Sequence, residues 1–283
     1  MQSIDRKNVL GILDEIQTTG HSPLKVIADD NQTYFIKNYG GILPAYYLCS
    51  EIICNGLLSI WQLPTPQIIL LDLNSKSFQE KLLKYSKKYH KAHYYDNIPA
   101  VGSLLVEGNI IELNTLTEPS SWLEINTIEN KDNIWKIGLF DIWVENDDRK
   151  PSNPNTLIQH ISTNRKKVYA LDHAFCFNSI AYKDLHPDFG VSQSFNDNIL
   201  FTNLAKELFK KYQNDKPFRN DVESFFKAKV EICRIHFCEI LDNIPIEFGL
   251  NEIDKEKLYN FLFHQQRNKN VLECFFDHIE DYA

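Results

Sequence analysis

Asp141-Ile-Trp-Val-Glu-Asn-Asp-Asp-Arg-Lys-Pro-Ser-Asn153, followed further along by Leu171-Asp172-His173, is the stretch that decides how this chain is read. It puts an acid (Asp148) next to an arginine (Arg149), an amide five residues on (Asn153), and a second acid (Asp172) beyond the next turn. A carboxylate that can take a hydroxyl proton, together with oxygen donors for a hard divalent cation, is the minimum that magnesium-assisted phosphoryl transfer from ATP requires. The short pattern D-R-x-x-x-N alone is weak, because such strings arise by chance. Its surroundings add weight. Ile134, Ile137, Phe140, Asp141 and Val144 recur at helical spacing, so a core helix over 133–145 leads straight into Asp147-Asp148. Pro151 and Pro154 then forbid helix and fix a loop. Thr156-Leu-Ile-Gln-His160 and Lys167-Val-Tyr-Ala-Leu-Asp172 form a strand pair across 162–165, which turns Asp172 back toward Asn153.

Upstream lie the parts that such a site still needs. Residues 4–17 read as one helix or a first strand. Thr18-Thr19-Gly20-His21-Ser22-Pro23 is turn-like, and Gly20 and Ser22 are its candidate phosphate contacts. Leu24–Ala28 and residues 33–38 read as strands joined by a polar turn, with Lys37 ending the second. Taken alone, Lys37 is an ordinary strand lysine; taken with the later loop, it is a cation for the phosphates. A helix from Pro44 to about Leu63 carries Glu51 on its inner half, where it can pair with Lys37. A strand over 65–72 follows, then a lysine-rich insertion over 74–97 whose Phe78, Leu82, Tyr85 and Tyr89 recur at helical spacing. That basic face reads as a solvated helix surface, with docking of an acidic partner as the alternative. Ala100–Glu107 is another strand, in which Gly102 and Ser103 leave room for a flat base, and Gly108 is a hinge.

At 283 residues the chain exceeds what one compact core holds, and two lobes are expected, 1–107 and 108–283. The second carries the catalytic loop 146–153 and the strand end 171–173. Composition is globular, 43% hydrophobic and 24% charged, and the formal net charge of −8 argues against a nucleic-acid partner. Charges interrupt the first residues where a signal peptide needs an apolar run, and no stretch approaches the length of a membrane span. The six cysteines form no CxxC pair and no zinc spacing, which fits reduced thiols in a cytoplasm. Cys233, His236 and Cys238 share one helix at spacings that do not converge on an ion. Downstream, 122–128 reads as a helix and 176–197 as loop. The tail is helical: a stripe from Val222 to Leu241 opened by a cap at Asn220, then two more helices around Leu258–Leu262 and Val271–Ile279.

With those residues in place, the chain resembles the HipA-like serine/threonine kinases, specifically the short bacterial members that lack the extra N-terminal subdomain. The likeness rests on Asn146-x-Asp148-Arg149-x-x-x-Asn153, on Phe140-Asp141-Ile-Trp143 before it, on Leu171-Asp172-His173, and on Tyr34-Phe-Ile-Lys37 with Glu51. It covers most of 18–178 in order and matches the tail only by type. The resemblance implies an α+β, bilobal protein-kinase-like fold with a small antiparallel-sheet N-lobe and a mostly helical C-lobe. It also implies dependence on ATP and Mg²⁺ and phosphorylation of protein hydroxyls. By motif match Asp148 is the catalytic base, Asn153 and Asp172 hold the metal, and Lys37 meets the ATP phosphates. Some family members are toxins of toxin–antitoxin pairs acting on translation factors, so a protein substrate and an antitoxin are the partners it suggests.

The chain departs from the family in carrying Lys150 where His commonly follows the Asp-Arg pair, and no full glycine-rich loop accompanies Gly20. By analogy with the family's phosphorylatable loop, Thr18, Thr19 and Ser22 are candidate autophosphorylation sites, with ordinary turn hydroxyls as the favoured reading. Asp188-Phe189-Gly190 spells the metal-binding tripeptide of ordinary protein kinases, but no strand precedes it, so the metal is assigned to Asp172. Two alternatives stay open: a small-molecule phosphotransferase of the same fold, and a non-catalytic pseudokinase that binds a partner.

Overall fold

The structure, a computed structural model, describes residues 3–16, 23–37, 45–85, 98–107, 109–110, 126–149, 153, 155–162, 164–187, 191, 198–210, 212 and 216–280. Five strands come first in the chain: β1 (Arg6–Glu15), β2 (Leu24–Ala28), β3 (Thr33–Lys37), β4 (Ile68–Asp72) and β5 (Ala100–Leu104). They close into a barrel in the order β1-β2-β3-β5-β4. Alternation along β2 and β3 turns Leu24, Val26, Ala28, Tyr34 and Ile36 inward, where they pack with Val9, Leu71 and Ala100. The antiparallel sheet expected from the resemblance needs correction at one seam. β1 runs parallel to β4, with Arg6 opposite Leu70 and Asn8 opposite Asp72, and this pairing closes the barrel. Irregularities in the β1–β2 register at Val9/Gly11 and Ile12/Asp14 bend the long first strand enough to reach both neighbours.

Helix α1 (Tyr46–Trp61) falls between β3 and β4 and is buried on nearly every side, so it is a core helix rather than a surface one. Helix α2 (Lys76–Tyr85) caps the barrel beside β1 through the fully buried Phe78 and Leu82. Its apolar stripe is therefore used in packing, and Lys76 stands in solvent. The rest of the lysine-rich insertion, 86–97, lies outside the described residues, as does Gly108. A Cβ at Gly102 would stand 2.4 Å from Leu71 Cδ1, so the space that the sequence reserves for a flat base is filled by barrel core.

A second sheet is formed by β6 (Asn109–Ile110), β7 (Thr156–Ser162) and β8 (Arg165–Ala170), with β7 and β8 as the expected hairpin. Helix α3 (Asn133–Val144) lies between β6 and β7 in the chain, and residue after residue along it is buried. A Cβ at Gly138 would fall 2.4 Å from Leu200 Cδ2, so only glycine lets the 199–201 turn approach this closely. Trp61 of α1 stacks on Trp143 of α3 at 5.4 Å, with Phe140, Phe225 and Phe226 edge-on around it. Helices α4 (Asn203–Phe209), α5 (Lys216–Leu241), α6 (Glu252–Phe263) and α7 (Gln265–Glu280) complete the large apolar cluster.

Three expectations change. Residues 126–128 make a turn and a bridge from Ile128 to Lys166 instead of ending a helix, and 122–125 lie outside the described residues. Helix α5 starts at Lys216, so Asn220 sits inside it; Pro217 is compatible with a first turn, where its missing N–H costs nothing. Helix α4 was not expected, being a short segment between loops whose cap, Thr202, accepts from Ala205 N. Among the described residues no helix is long and apolar enough to cross a membrane. All six cysteines are free thiols, and Cys49, Cys54, Cys176 and Cys233 are buried.

Candidate active site

Lys37, the last residue of β3, points opposite to the inward Ile36 and so toward α1. Its ammonium pairs there with Glu51 Oε1 and lies 2.6 Å from Asp172 Oδ1. Asp172 stands two residues past the end of β8 in the left-handed region (φ 54°), a conformation that Asp tolerates better than most side chains, and this turns its carboxylate back to Lys37. Glu51 Oε2 accepts from His173 N at 3.2 Å, so one glutamate joins the strand lysine to the backbone beyond Asp172. The burial of the three differs. Glu51 is 6% exposed at its side chain, Lys37 19% and Asp172 31%. Burial pushes Glu51 up despite Lys37; for Asp172 burial also opposes the charge, but the Lys37 ammonium outweighs it and holds the carboxyl at about 2.

Asp148 is fixed differently. Asn153 Nδ2 donates to its Oδ1 and Asn155 Nδ2 to its Oδ2, each at 2.9 Å, and both amides also reach the Asp148 carbonyl at 3.2 Å. Asn146 Oδ1 accepts from Asp148 N at 3.2 Å and Asn146 Nδ2 donates to Asp141 Oδ1 at 3.0 Å, which returns the loop to α3. Arg149 is fully buried and spends each of its nitrogens. Nε donates to Asp141 Oδ2 at 2.7 Å, Nη1 to the carbonyls of Asn155 and Leu171 (3.0 Å for the latter), and Nη2 lies 2.8 Å from His173 Nε2. Burial, then the Arg149 charge, drives His173 well below its ordinary value, so the ring is neutral and its Nε2 is the acceptor. The guanidinium thereby ties the 148–155 loop to the Leu171–His173 turn.

Lys37, Glu51 and Asp172 are thus brought into direct contact, Asp148 and Asn153 form a second contact group, and Arg149 links the two. Gly20 and Ser22, with Thr18 and Thr19, lie outside the described residues, and so do Lys150, Pro151, Pro154 and Asp188. Sequence reasoning missed Asn155 as the second clamp on Asp148 and gave Asp141, Asn146 and His173 no role. Asp141 carried a signal: a carboxylate on a helix whose other faces are apolar must find a cation.

Among the described residues no cluster of three or more His, Cys, Asp and Glu converges on a metal point. The donors present still suit magnesium, which keeps several waters and takes only one or two protein oxygens along with substrate phosphates. One lysine faces two carboxylates, so the group carries excess negative charge that a divalent cation would neutralise. Asp172 and the amide oxygen of Asn153 would hold it.

Among solved structures, the chain is similar to the crystal structure of a Helicobacter pylori proinflammatory kinase, CtkA, with a TM-score of 0.56 and 14% identity over 98% of each chain. That likeness shows a shared kinase-like fold of mixed helix and strand. The Golgi casein kinase, solved with Mn/ADP bound, matches at a TM-score of 0.41 and 15% identity over 97% of this chain and 74% of its own, a similarity too low to argue from. No curated protein matches the chain in sequence. The model of the HipA-like kinases matches residues 9–278, nearly the whole length, and the chain belongs to that family.

Proposed function

We propose that this kinase transfers the γ-phosphoryl group of Mg-ATP to serine or threonine hydroxyls of a protein substrate. The observation that carries the reading is the Lys37 ammonium shared between Glu51 and Asp172, with Arg149 tying their turn to the loop of Asp148, a carboxylate whose two oxygens are both held by amides. In this reading the N-terminal lobe is 1–107 and the C-terminal lobe 108–283. Bound magnesium would neutralise charge on the phosphates, the main electrostatic need of this reaction. The chain's own residues do the rest. Lys37, positioned by Glu51, holds the phosphate oxygens. Asp172 and Asn153 would hold the metal, and Gly20 and Ser22 are proposed as further contacts for the phosphates. Asp148 accepts the proton of the attacking hydroxyl, and Asn153 with Asn155 keeps its carboxylate in one orientation, which is where pre-organisation enters.

The same reading leaves the protein substrate as the partner to be found. A toxin-like action on translation or growth, with an antitoxin that restrains it, is part of the proposal, suggested by the toxins among the family's members. The test is calorimetry of ATP with and without Mg²⁺, followed by phosphopeptide mass spectrometry of cells expressing wild type or Asp148→Asn. Magnesium-dependent binding and phosphoserine or phosphothreonine peptides that vanish in the variant are expected. Absence of nucleotide binding overturns the kinase reading, and transfer to sugars or aminoglycosides but not to protein replaces the acceptor class.

A further inference from the structure

Helix α1 carries Glu51, yet its first turn has no side-chain cap and no acidic residue: Ala45 at the N-cap makes no such bond. Its start is held from outside, by the segment that follows Asp172. Tyr182 is 2% exposed, and its hydroxyl donates to the Tyr46 carbonyl at 2.7 Å. The same hydroxyl lies 2.6 Å from Ser50 Oγ, and Ser50 Oγ also donates to the Tyr46 carbonyl at 3.1 Å, so the two hydroxyls and that carbonyl form one hydrogen-bonded cluster. Ser50 is fully buried and immediately precedes Glu51. Two more hydroxyls work the same joint, Tyr46 and Tyr47 reaching the Ser179 carbonyl at 3.4 and 3.5 Å. Phe175 packs edge-on against Tyr47 at 5.1 Å.

The segment that makes these contacts is itself anchored. Phe177, Asn178 and Ser179 are all in the left-handed region (φ 61°, 56° and 55°), a run that non-glycine residues adopt only when the surroundings hold them there. The holding groups are visible. Asn178 N donates to the Glu145 carbonyl at 3.2 Å and its amide pairs with the Glu145 carboxylate, which Arg267 grips at 3.0 Å. Phe177 meets Tyr182 on one side and Phe261 of α6 on the other. The helical body thus fixes the segment, the segment fixes Tyr182, and Tyr182 fixes the turn of α1 that bears Glu51.

We propose that Tyr182 is a positioning residue for phosphoryl transfer, its hydroxyl setting α1 through Ser50 and the Tyr46 carbonyl so that Glu51 meets Lys37. This rests on the function proposed above. The test compares Tyr182→Phe, Ser50→Ala and the double variant with wild type in the full chain. Val230→Ala on α5, outside the joint, serves as a control for general destabilisation. Steady-state kinetics in Mg-ATP are read beside hydrogen exchange at the amides of 47–54. Either single variant should lower kcat about tenfold with a smaller change in the KM for Mg-ATP, as expected when an interaction matters most in the transition state. The double variant should be no worse than the poorer single one, because both remove one relay. Exchange at 47–54 should speed up in Tyr182→Phe and not in Val230→Ala.

Unchanged kcat in Tyr182→Phe overturns the proposal, and so does a loss no larger than that of Val230→Ala. If wild type binds no Mg-ATP, the function proposed above fails, and the exchange measurement still judges the joint: equal protection in wild type and Tyr182→Phe removes it.

Discussion

Two charged groups lie side by side in this kinase, and they are built on opposite plans. Around Arg149, one guanidinium meets one carboxylate, Asp141, both side chains are 0% exposed, and the remaining donors end on backbone carbonyls and a neutral imidazole. Around Lys37, one ammonium serves two carboxylates, and Lys37 and Asp172 keep partial access to solvent. The first group is balanced and closed; it has nothing left to offer a ligand. The second is unbalanced and open, so a cation or a phosphate can enter by rearranging bonds already made. Fixed framework and responsive site are thus separated by charge count and burial, although His173 and Asp172 are neighbours in the chain.

Breaking the closed group should have the largest effect. Asp141→Asn leaves the buried Arg149 charge without its counter-ion, for which a loss of about 3–5 kcal/mol is expected in urea unfolding. Asp172→Asn leaves Lys37 still paired with Glu51, and its cost should be smaller, about 1–2 kcal/mol, as fits a partly solvent-exposed carboxyl held at about 2 by the ammonium. Equal losses in the two variants would erase the distinction.

The open group should respond to ligand instead. Mg-ATP at a hundredfold over its Kd is expected to add about 2.7 kcal/mol of stability in wild type. A chelator should abolish that gain, and Asp172→Asn should lack it. A full gain in Asp172→Asn would place the metal elsewhere.

Asn155 tests the border between the groups, since its carbonyl serves Arg149 while its side chain serves Asp148. Its φ of 39° makes glycine the clean replacement, because alanine would add backbone strain. Asn155→Gly should reduce kcat about tenfold, roughly the worth of one hydrogen bond to a charged group. Stability should change far less than in Asp141→Asn. Wild-type kcat would show that Asn153 alone suffices to hold Asp148.

How legible these features are in the sequence depends on how local they are. β2, β3, α1, α3 and the β7–β8 hairpin follow from alternation, helical spacing and turn residues, and the Lys37–Glu51 pair follows from strand end and helix face. The parallel β1–β4 seam does not, because it joins residues far apart through bulges that leave no pattern. Gly102 misled for a related reason: a missing side chain signals closeness without naming the neighbour, which is Leu71. Asp141 lay within the quoted motif, but its partner is set by how the loop folds back over eight residues. Asn155 was hidden by the more familiar Asn153.

The smallest effect concerns protonation, and it bears on the same contrast. Burial favours whichever form of a group is neutral, and two fully buried groups follow it: His173 is driven down and Tyr182 well up. Asp172 goes the other way because Lys37 opposes burial and prevails. For Tyr182 the sign of the linkage is definite. Below pH 10 the phenol is neutral whether the chain is folded or not. Above pH 10 the unfolded chain releases the proton and the folded chain keeps it, so stability falls as pH rises, by up to about 1.4 kcal/mol per unit from this group. Half a unit past pH 10 its share is under about 1 kcal/mol. Among titrating groups Tyr182→Phe removes this one only, so the difference between its unfolding free energy and that of wild type, measured from pH 8 to 10.5, should narrow at the alkaline end. A constant difference would mean that water reaches the Tyr182 hydroxyl, and that the joint holding α1 belongs with the open group rather than the closed one.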